Sequence, residues 1–188
     1  VTGSRKDGRV RLFVAVWPSA PAVADLASAV SALRADGTAP RWLSANRWHV
    51  TLAFLGEVDD ATLPRLRAGL GRAARRAAPT ELRLTGAGRF GRGVLWVGVA
   101  GDVVPLTELA TRAAAAARRT GIEVEDRRFH PHLTVARGRP GADLRPWAEA
   151  LASYAGPAWP MDRVSLVRSQ LGPKPTYTEL ESWPITDR

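Results

Sequence analysis

His49-Val50-Thr51-Leu52 and His132-Leu133-Thr134-Val135 are two versions of one phrase, and the chain can be read outward from them. They stand 83 residues apart (132 − 49). At the same offset, Leu12-Phe13-Val14-Ala15-Val16 falls on Leu95-Trp96-Val97-Gly98-Val99, and Asp25-Leu26-Ala27 falls on Glu108-Leu109-Ala110. A strand, a helix and a later strand therefore match without a gap. One such match is what two apolar strands give by chance; three at one offset define a duplicated unit. Two copies imply two lobes about a pseudo-two-fold axis, with equivalent residues facing each other across a cleft.

The remaining segments fit that plan. Residues 11–17 are a β-rich apolar run closed by Pro18, and residues 20–35 carry Val23, Leu26, Val30 and Leu33 at helical spacing, with Gly37 beyond. Residues 48–55 read as a strand ending at Gly56. Residues 59–78 read as a helix with Leu63, Leu66 and Leu70 inward and Asp59 or Asp60 as its cap. Residues 81–90 and 94–100 form a hairpin around a Gly-rich turn. Helices over 103–120 and 144–154 follow, separated by a strand over 132–137. Strands over 163–171 and 176–183 flank Gly172-Pro173 and close the chain.

Bulk properties narrow the classes. The chain has 188 residues, 45% of them hydrophobic, which is enough for a packed interior. No apolar run reaches the length of a membrane span, so no membrane association is expected. Residues 1–10 are expected to be a flexible tail without the apolar core of a signal peptide, and residues 11–188 a single bilobal domain. The absence of cysteine excludes disulfides and thiolate metal sites and fits a cytoplasmic protein. The net charge is +9, and of 27 basic residues only Lys6 and Lys174 are lysine. Arginine's planar fork suits phosphate, so nucleic acid is a fair partner, although an Arg-, Ala- and Gly-rich surface is also what a GC-rich genome writes.

In a strand, residues i and i+2 share a face, so His49 projects with Thr51, and His132 with Thr134, about 7 Å apart. Val50, Leu52, Leu133 and Val135 point the other way. A lone histidine or threonine in a strand is usually structural; the same pair placed twice in a duplicated unit points to chemistry. Two imidazoles with ordinary pKa values near 6.5 can hold opposite protonation states. One then takes a proton from a nucleophile while the other gives one to a leaving oxygen, which suits phosphoryl transfer at a phosphodiester. Threonine hydroxyls can donate to the non-bridging oxygens, and no metal is called for. His130, the third histidine, is separated from His132 by Pro131. With no cysteine, and no carboxylate beside His49 before Glu57, the pair makes a poor chelate, so His130 is expected at the surface or beside the site. Arg137 is placed to clamp a phosphate. Phe90 is a candidate for stacking on a base, whereas Trp96, which the repeat aligns with Phe13, is expected in the core.

The segments 49–56 (His-Val-Thr-Leu-Ala-Phe-Leu-Gly) and 129–137 (Phe-His-Pro-His-Leu-Thr-Val-Ala-Arg) resemble the paired signature of the two-histidine (2H) phosphoesterases. The resemblance runs from Arg11 to about Trp183 and is greatest to the RNA 2′,3′-cyclic phosphodiesterases, or LigT-like 2′-5′ RNA ligases. It implies an α+β fold: a bilobal duplicated unit with antiparallel sheets lining a central basic cleft and helices outside. It implies opening of an RNA terminal 2′,3′-cyclic phosphate to a 2′-phosphate, without cofactor or metal. His49 is then the proton donor to the leaving 3′-oxygen, and His132 the group that activates water. Thr51, Thr134 and Arg137 fall on the phosphate-binding positions. Val135 departs from a leucine frequent in the family, but it points away from the cleft.

The expected partners are RNA ends bearing a 2′,3′-cyclic phosphate or small cyclic nucleotides. A monomer is expected, because the second lobe already supplies the symmetric counterpart. Two alternatives remain at this level: a 2′-5′ RNA ligase using the same acid and base, and a module that binds RNA ends without turnover. The pseudo-symmetry alone permits either histidine to be the donor.

Overall fold

The computed structural model describes residues 8–34, 40–172 and 175–186. Ala35, Gly37 and Pro173, invoked above as helix end and turn, lie outside them, as do both lysines. The elements run β1 (Arg9–Val16), α1 (Ala20–Ala32), β2 (Arg41–Trp42), β3 (Val50–Asp59), α2 (Leu63–Ala74), β4 (Glu81–Phe90), β5 (Val94–Gly101), α3 (Val104–Arg118), β6 (His132–Arg137), α4 (Arg145–Ala150), β7 (Ala155–Pro160), β8 (Arg163–Gln170) and β9 (Thr176–Pro184). All pairings are antiparallel, in the order β7-β4-β5-β6-β3-β1-β8-β9, with β2 added beside β6. The fold is α+β, a curled antiparallel sheet with helices at its periphery.

The duplication sets the sheet's symmetry. β1, α1 and β3 correspond to β5, α3 and β6. The two halves, β9-β8-β1-β3 and β7-β4-β5-β6, meet where β3 pairs with β6. They are in register at one position only, Val50 opposite Leu133, which are equivalent residues of the repeat. The pseudo-two-fold axis therefore passes through that pair. Beyond it the strands splay, and the two half-sheets open as the walls of a cleft.

One face of the sheet is the main core. Leu12, Val14, Val16, Val50, Leu52, Leu133 and Val135 all point into it, with exposures of 6% or less. α3 packs on β3 and α2, while α1 packs on β4 and β7. Each repeat's helix thus covers strands of the opposite half, which interlocks the lobes. Tyr154 fastens the same junction, its hydroxyl donating to Asp25 Oδ1 on α1 at 2.7 Å. Helix starts follow ordinary capping chemistry: Ser19 Oγ accepts from Ala22 N–H, and Asp59 Oδ1 accepts from Ala61 N–H in the 3-10 turn leading into α2.

Several boundaries differ from the sequence reading. Arg9 and Val10, assigned above to a tail, open β1 and pair with Asp59 and Val58. β3 does not stop at Gly56 but passes through it, because glycine adopts a φ of 65° there without steric cost and forms a bulge opposite Leu12 and Phe13. The helix expected over 144–154 is only Arg145–Ala150. The Tyr154 carbonyl beyond it accepts from Gly86 N–H and Thr85 Oγ instead. β7 and the two-residue β2 were not anticipated. β7 contains Gly156, Pro157 and Pro160, residues that argue against a strand except at a sheet edge, and it is an edge strand.

Candidate active site

The opposite face of the sheet, inside the cleft, carries a second and smaller apolar cluster of Phe13, Ala15 and Val167, with Trp17 and Tyr177 packed on it. His49 lies against this cluster. Its ring stacks on Phe13 (centroids 4.7 Å apart, 26° between planes) and meets Trp17 and Tyr177, each at 5.3 Å. Across the pseudo-dyad, His132 meets Phe90 edge-on at 4.8 Å, and Trp96 at 6.2 Å. His49 immediately precedes β3 and His132 opens β6, each beside the single Val50–Leu133 pair. The axis of the repeat thus brings the two rings into one site.

Both rings are held in the same way. His49 Nδ1–H donates to the Arg47 carbonyl at 2.7 Å, and His132 Nδ1–H donates to the His130 carbonyl at 2.6 Å. A carbonyl can only accept, so in each neutral ring the proton sits on Nδ1. Nε2 is left with a free lone pair. Each Nε2 can therefore accept a proton, and the ring that serves as acid must first acquire one.

The environment depresses both titrations. Burial lowers the His49 pKa to about 4. The Arg47 carbonyl bond opposes this in part, and the charges of Arg47 and His132 add to it. Burial likewise lowers His132, opposed by its bond to the His130 carbonyl and reinforced by the charges of His130 and Arg127. Both rings are therefore neutral at pH 7 in the free protein. This has a consequence for stability. The unfolded chain takes up a proton on His49 below about pH 6.5, while the folded state resists until about pH 4. The contribution is present above pH 6.5 and is lost as pH falls through that window, by roughly 3 kcal/mol at its lower end. Thermal denaturation from pH 7 to pH 4 should show a steeper loss of Tm for the native chain than for His49→Gln. Parallel curves would show that burial does not depress this group.

A bulge matched in the two halves completes the site. β3 skips Leu52 between Thr51 (opposite Ala15) and Ala53 (opposite Val14), and β6 skips Val135 between Thr134 (opposite Trp96) and Ala136 (opposite Leu95). Two successive residues then face the core, and the third after threonine returns to the cleft face. In β3 that residue is Phe54, 54% exposed; in β6 it is the equivalent Arg137, also exposed. Thr51 and Thr134 are half-buried on the same face, and among the described residues no hydrogen bond engages either hydroxyl.

The expectation for Trp96 is corrected. Trp96 does pair with Phe13 in the repeat, but that places both on the cleft face, and Trp96 is only half-buried there. Its indole lies over Gly88, where a Cβ would stand 2.3 Å from the ring, so only glycine permits this placement. Phe90, 43% exposed, leans on Trp96 at 5.5 Å and forms the outer edge of the His132 wall. His130 is exposed, 4.8 Å from Trp96, and touches the site chiefly through its carbonyl. Among the described residues no group of three His, Cys, Asp or Glu side chains is placed to hold a metal ion.

Sequence reasoning missed the aromatic wall around His49. Trp17 and Tyr177 carry no motif. Trp17 directly follows β1, and Tyr177 reaches the site on β9, which pairs with β8 beside β1. Arg47 reinforces Tyr177, its guanidinium lying 5.0 Å over the ring and donating to the hydroxyl at 3.3 Å. Trp17 Nε1–H donates to Ser165 Oγ at 3.2 Å, and Ser165 donates to Glu179 Oε2 at 2.7 Å. Ser165 is fully buried, and its hydroxyl is satisfied on both sides.

Comparison with known proteins agrees with this geometry. The family model of the 2′-5′ RNA ligase superfamily matches residues 19–173. An RNA 2′,3′-cyclic phosphodiesterase of Thermus thermophilus is 33% identical over 187 residues, covering 94% of this chain and 90% of that protein. One of Geobacillus stearothermophilus is 28% identical over 186 residues, and there the chain spans 58% of the relative's length. The crystal structure of E. coli LigT in apo form superposes with a TM-score of 0.80 at 27% identity, covering 96% of this chain and all of that one. The same protein complexed with 3′-AMP gives 0.79. The chain belongs to the 2′-5′ RNA ligase superfamily, within the LigT-like branch of the two-histidine phosphoesterases. No helix among the described residues is long and apolar enough to cross a membrane.

Proposed function

We propose that the protein hydrolyses the terminal 2′,3′-cyclic phosphate of RNA to a 2′-phosphate by two-histidine acid/base catalysis. The observation that carries this reading is the matched pair of Nδ1–H bonds to backbone carbonyls, which leaves a proton-accepting Nε2 on each histidine. Water enters on the His132 side and gives its proton to His132 Nε2 as its oxygen bonds to phosphorus. The P–O3′ bond breaks, and O3′ takes the proton held on His49 Nε2. The donor role of His49 rests on the family likeness.

Because His49 is neutral in the free protein, its proton arrives with substrate: an anionic phosphate between the rings favours the charged imidazolium. Thr51 and Thr134 donate to the non-bridging oxygens, where negative charge accumulates. Arg137 reaches the same phosphate with a charge-assisted contact. Phe90, beside His132, offers a face to a nucleobase. Small cyclic nucleotides satisfy the same machinery. We place the reaction in the cytoplasm and assign it to a monomer whose two halves, from Arg9 onward, act as one bilobal domain, since both halves of the proton-transfer pair come from one chain.

The test is incubation of the purified protein in chelator with an oligoribonucleotide ending in a 2′,3′-cyclic phosphate. The expected product carries a 2′-phosphate and a free 3′-hydroxyl. Absence of turnover would move the protein to the class of RNA-end binders. Joining of an added 5′-hydroxyl RNA at a rate exceeding hydrolysis would make it a ligase.

A further inference from the structure

β2 is two residues long and occupies the gap left where β3 splays away from β6. Its pairing places Arg41 opposite Arg137 and Trp42 opposite Ala136, and the Leu43 N–H donates to the Val135 carbonyl at 2.9 Å. Directly opposed residues of an antiparallel pair share a face, with Cα atoms about 5 Å apart. Trp42 and Ala136 belong to the core cluster. The two arginines therefore stand together on the cleft face, and both are exposed.

Like charges set directly opposite one another weaken a ladder. Among the described residues, neither arginine has a hydrogen bond or ion pair that would offset this. The feature also breaks the symmetry of the repeat, because the equivalents of Arg41 and Arg137 are Val124 and Phe54. At these two repeat positions the positive charge falls on one side of the dyad only. A cyclic phosphate carries a single negative charge, which the Arg137 guanidinium alone balances. A second guanidinium in the same row fits a second anion, and in an RNA strand the next anion is the neighbouring phosphodiester.

We propose that Arg41 is a subsite for the RNA backbone, holding the phosphodiester on the 5′ side of the terminal nucleoside while Arg137 holds the reacting phosphate. The inference rests on the phosphodiesterase reading above, and it makes an RNA chain, rather than a mononucleotide, the favoured substrate. Two neighbouring cations that repel in the free protein are reconciled by two consecutive phosphates.

The test compares a mononucleoside 2′,3′-cyclic phosphate, which lacks the second phosphate, with an oligoribonucleotide ending in the same group. Arg41→Gln should raise KM for the oligonucleotide about tenfold, as expected for one charged hydrogen bond. Its kcat, and both constants for the mononucleotide, should hold within about twofold. Arg137→Gln should impair both substrates, and Arg41→Lys should recover part of the oligonucleotide KM. Binding of an oligonucleotide ending in a 2′-phosphate supplies a readout independent of turnover. The slope of log affinity against log salt should fall by about 0.7 in Arg41→Gln. Equal losses on both substrates, or no loss on either, would overturn the subsite. A native protein inert on both substrates would overturn the phosphodiesterase reading instead, and the salt slope would then decide Arg41 alone, an unchanged slope removing it.

Discussion

Alanine at either His49 or His132 should lower kcat on an RNA 2′,3′-cyclic phosphate by about 10²- to 10⁴-fold, the range that a positioned general acid or base contributes. The effect should be nearly as large for each single variant as for the pair, because groups that move one proton between them act as a unit. Binding of product should change far less, since Thr51, Thr134 and Arg137 remain. The fold should survive as well. His49 is half-buried and packs on the small cleft-side cluster rather than the main core, and His132 is less enclosed. A substrate with a nitrophenyl leaving group separates the two roles, because that group departs without a proton. The His49→Ala variant should recover most of its rate on such an ester, and His132→Ala should not. Recovery in the opposite variant would reverse donor and acceptor, which the pseudo-symmetry permits; recovery in neither would leave His49 without the role of acid.

The second large effect concerns the threonines. Thr51→Val and Thr134→Val should each lower kcat/KM by about 10²-fold, the cost of losing one donor to an oxygen that gains charge in the transition state. Valine has the same shape and is a good strand former, so Tm should hold or rise slightly. Serine at either position should restore most of the rate, which a purely steric role would not produce. If the valine variants turned over normally, the phosphate would have to be held by other groups, and the cleft-face placement of these hydroxyls would be structural.

The duplicated unit and the histidine pair were legible because they follow from local spacing. His-x-Thr at one offset fixes two strands, and the alternation rule correctly sends Val50, Leu52, Leu133 and Val135 to the core. The same rule cannot explain Arg137, which strict alternation from His132 and Thr134 would turn away from the cleft. The bulge at Val135 returns it, and no residue type in the sequence announces that bulge. Alignment of Trp96 with Phe13 was sound as topology and misleading as environment. Phe13 is buried because His49 and Tyr177 cover it, whereas Trp96, met by Phe90, His130 and His132, stays half-buried. Tyr177, Trp17 and Arg41 belong to the site through strand pairings distant in sequence, which periodicity does not reveal. β7 was hidden for a related reason, since its prolines and glycine are tolerated only because it lies at the sheet edge.

Catalysis of this kind requires two histidines, both neutral in the free protein, to share one proton at the moment of reaction. The pH dependence of kcat/KM, measured in chelator on a 2′,3′-cyclic phosphate, tests it most directly, because that parameter reports the titrations of the free enzyme. The reactive form carries one proton on the pair, and both pKa values lie below the ordinary 6.5. The expected profile is a bell with its maximum below pH 6.5 and an alkaline limb falling about tenfold per pH unit, with apparent pKa values that belong to the pair and not to either ring. A profile that rises through neutrality to a plateau at high pH, with no alkaline limb, would contradict it.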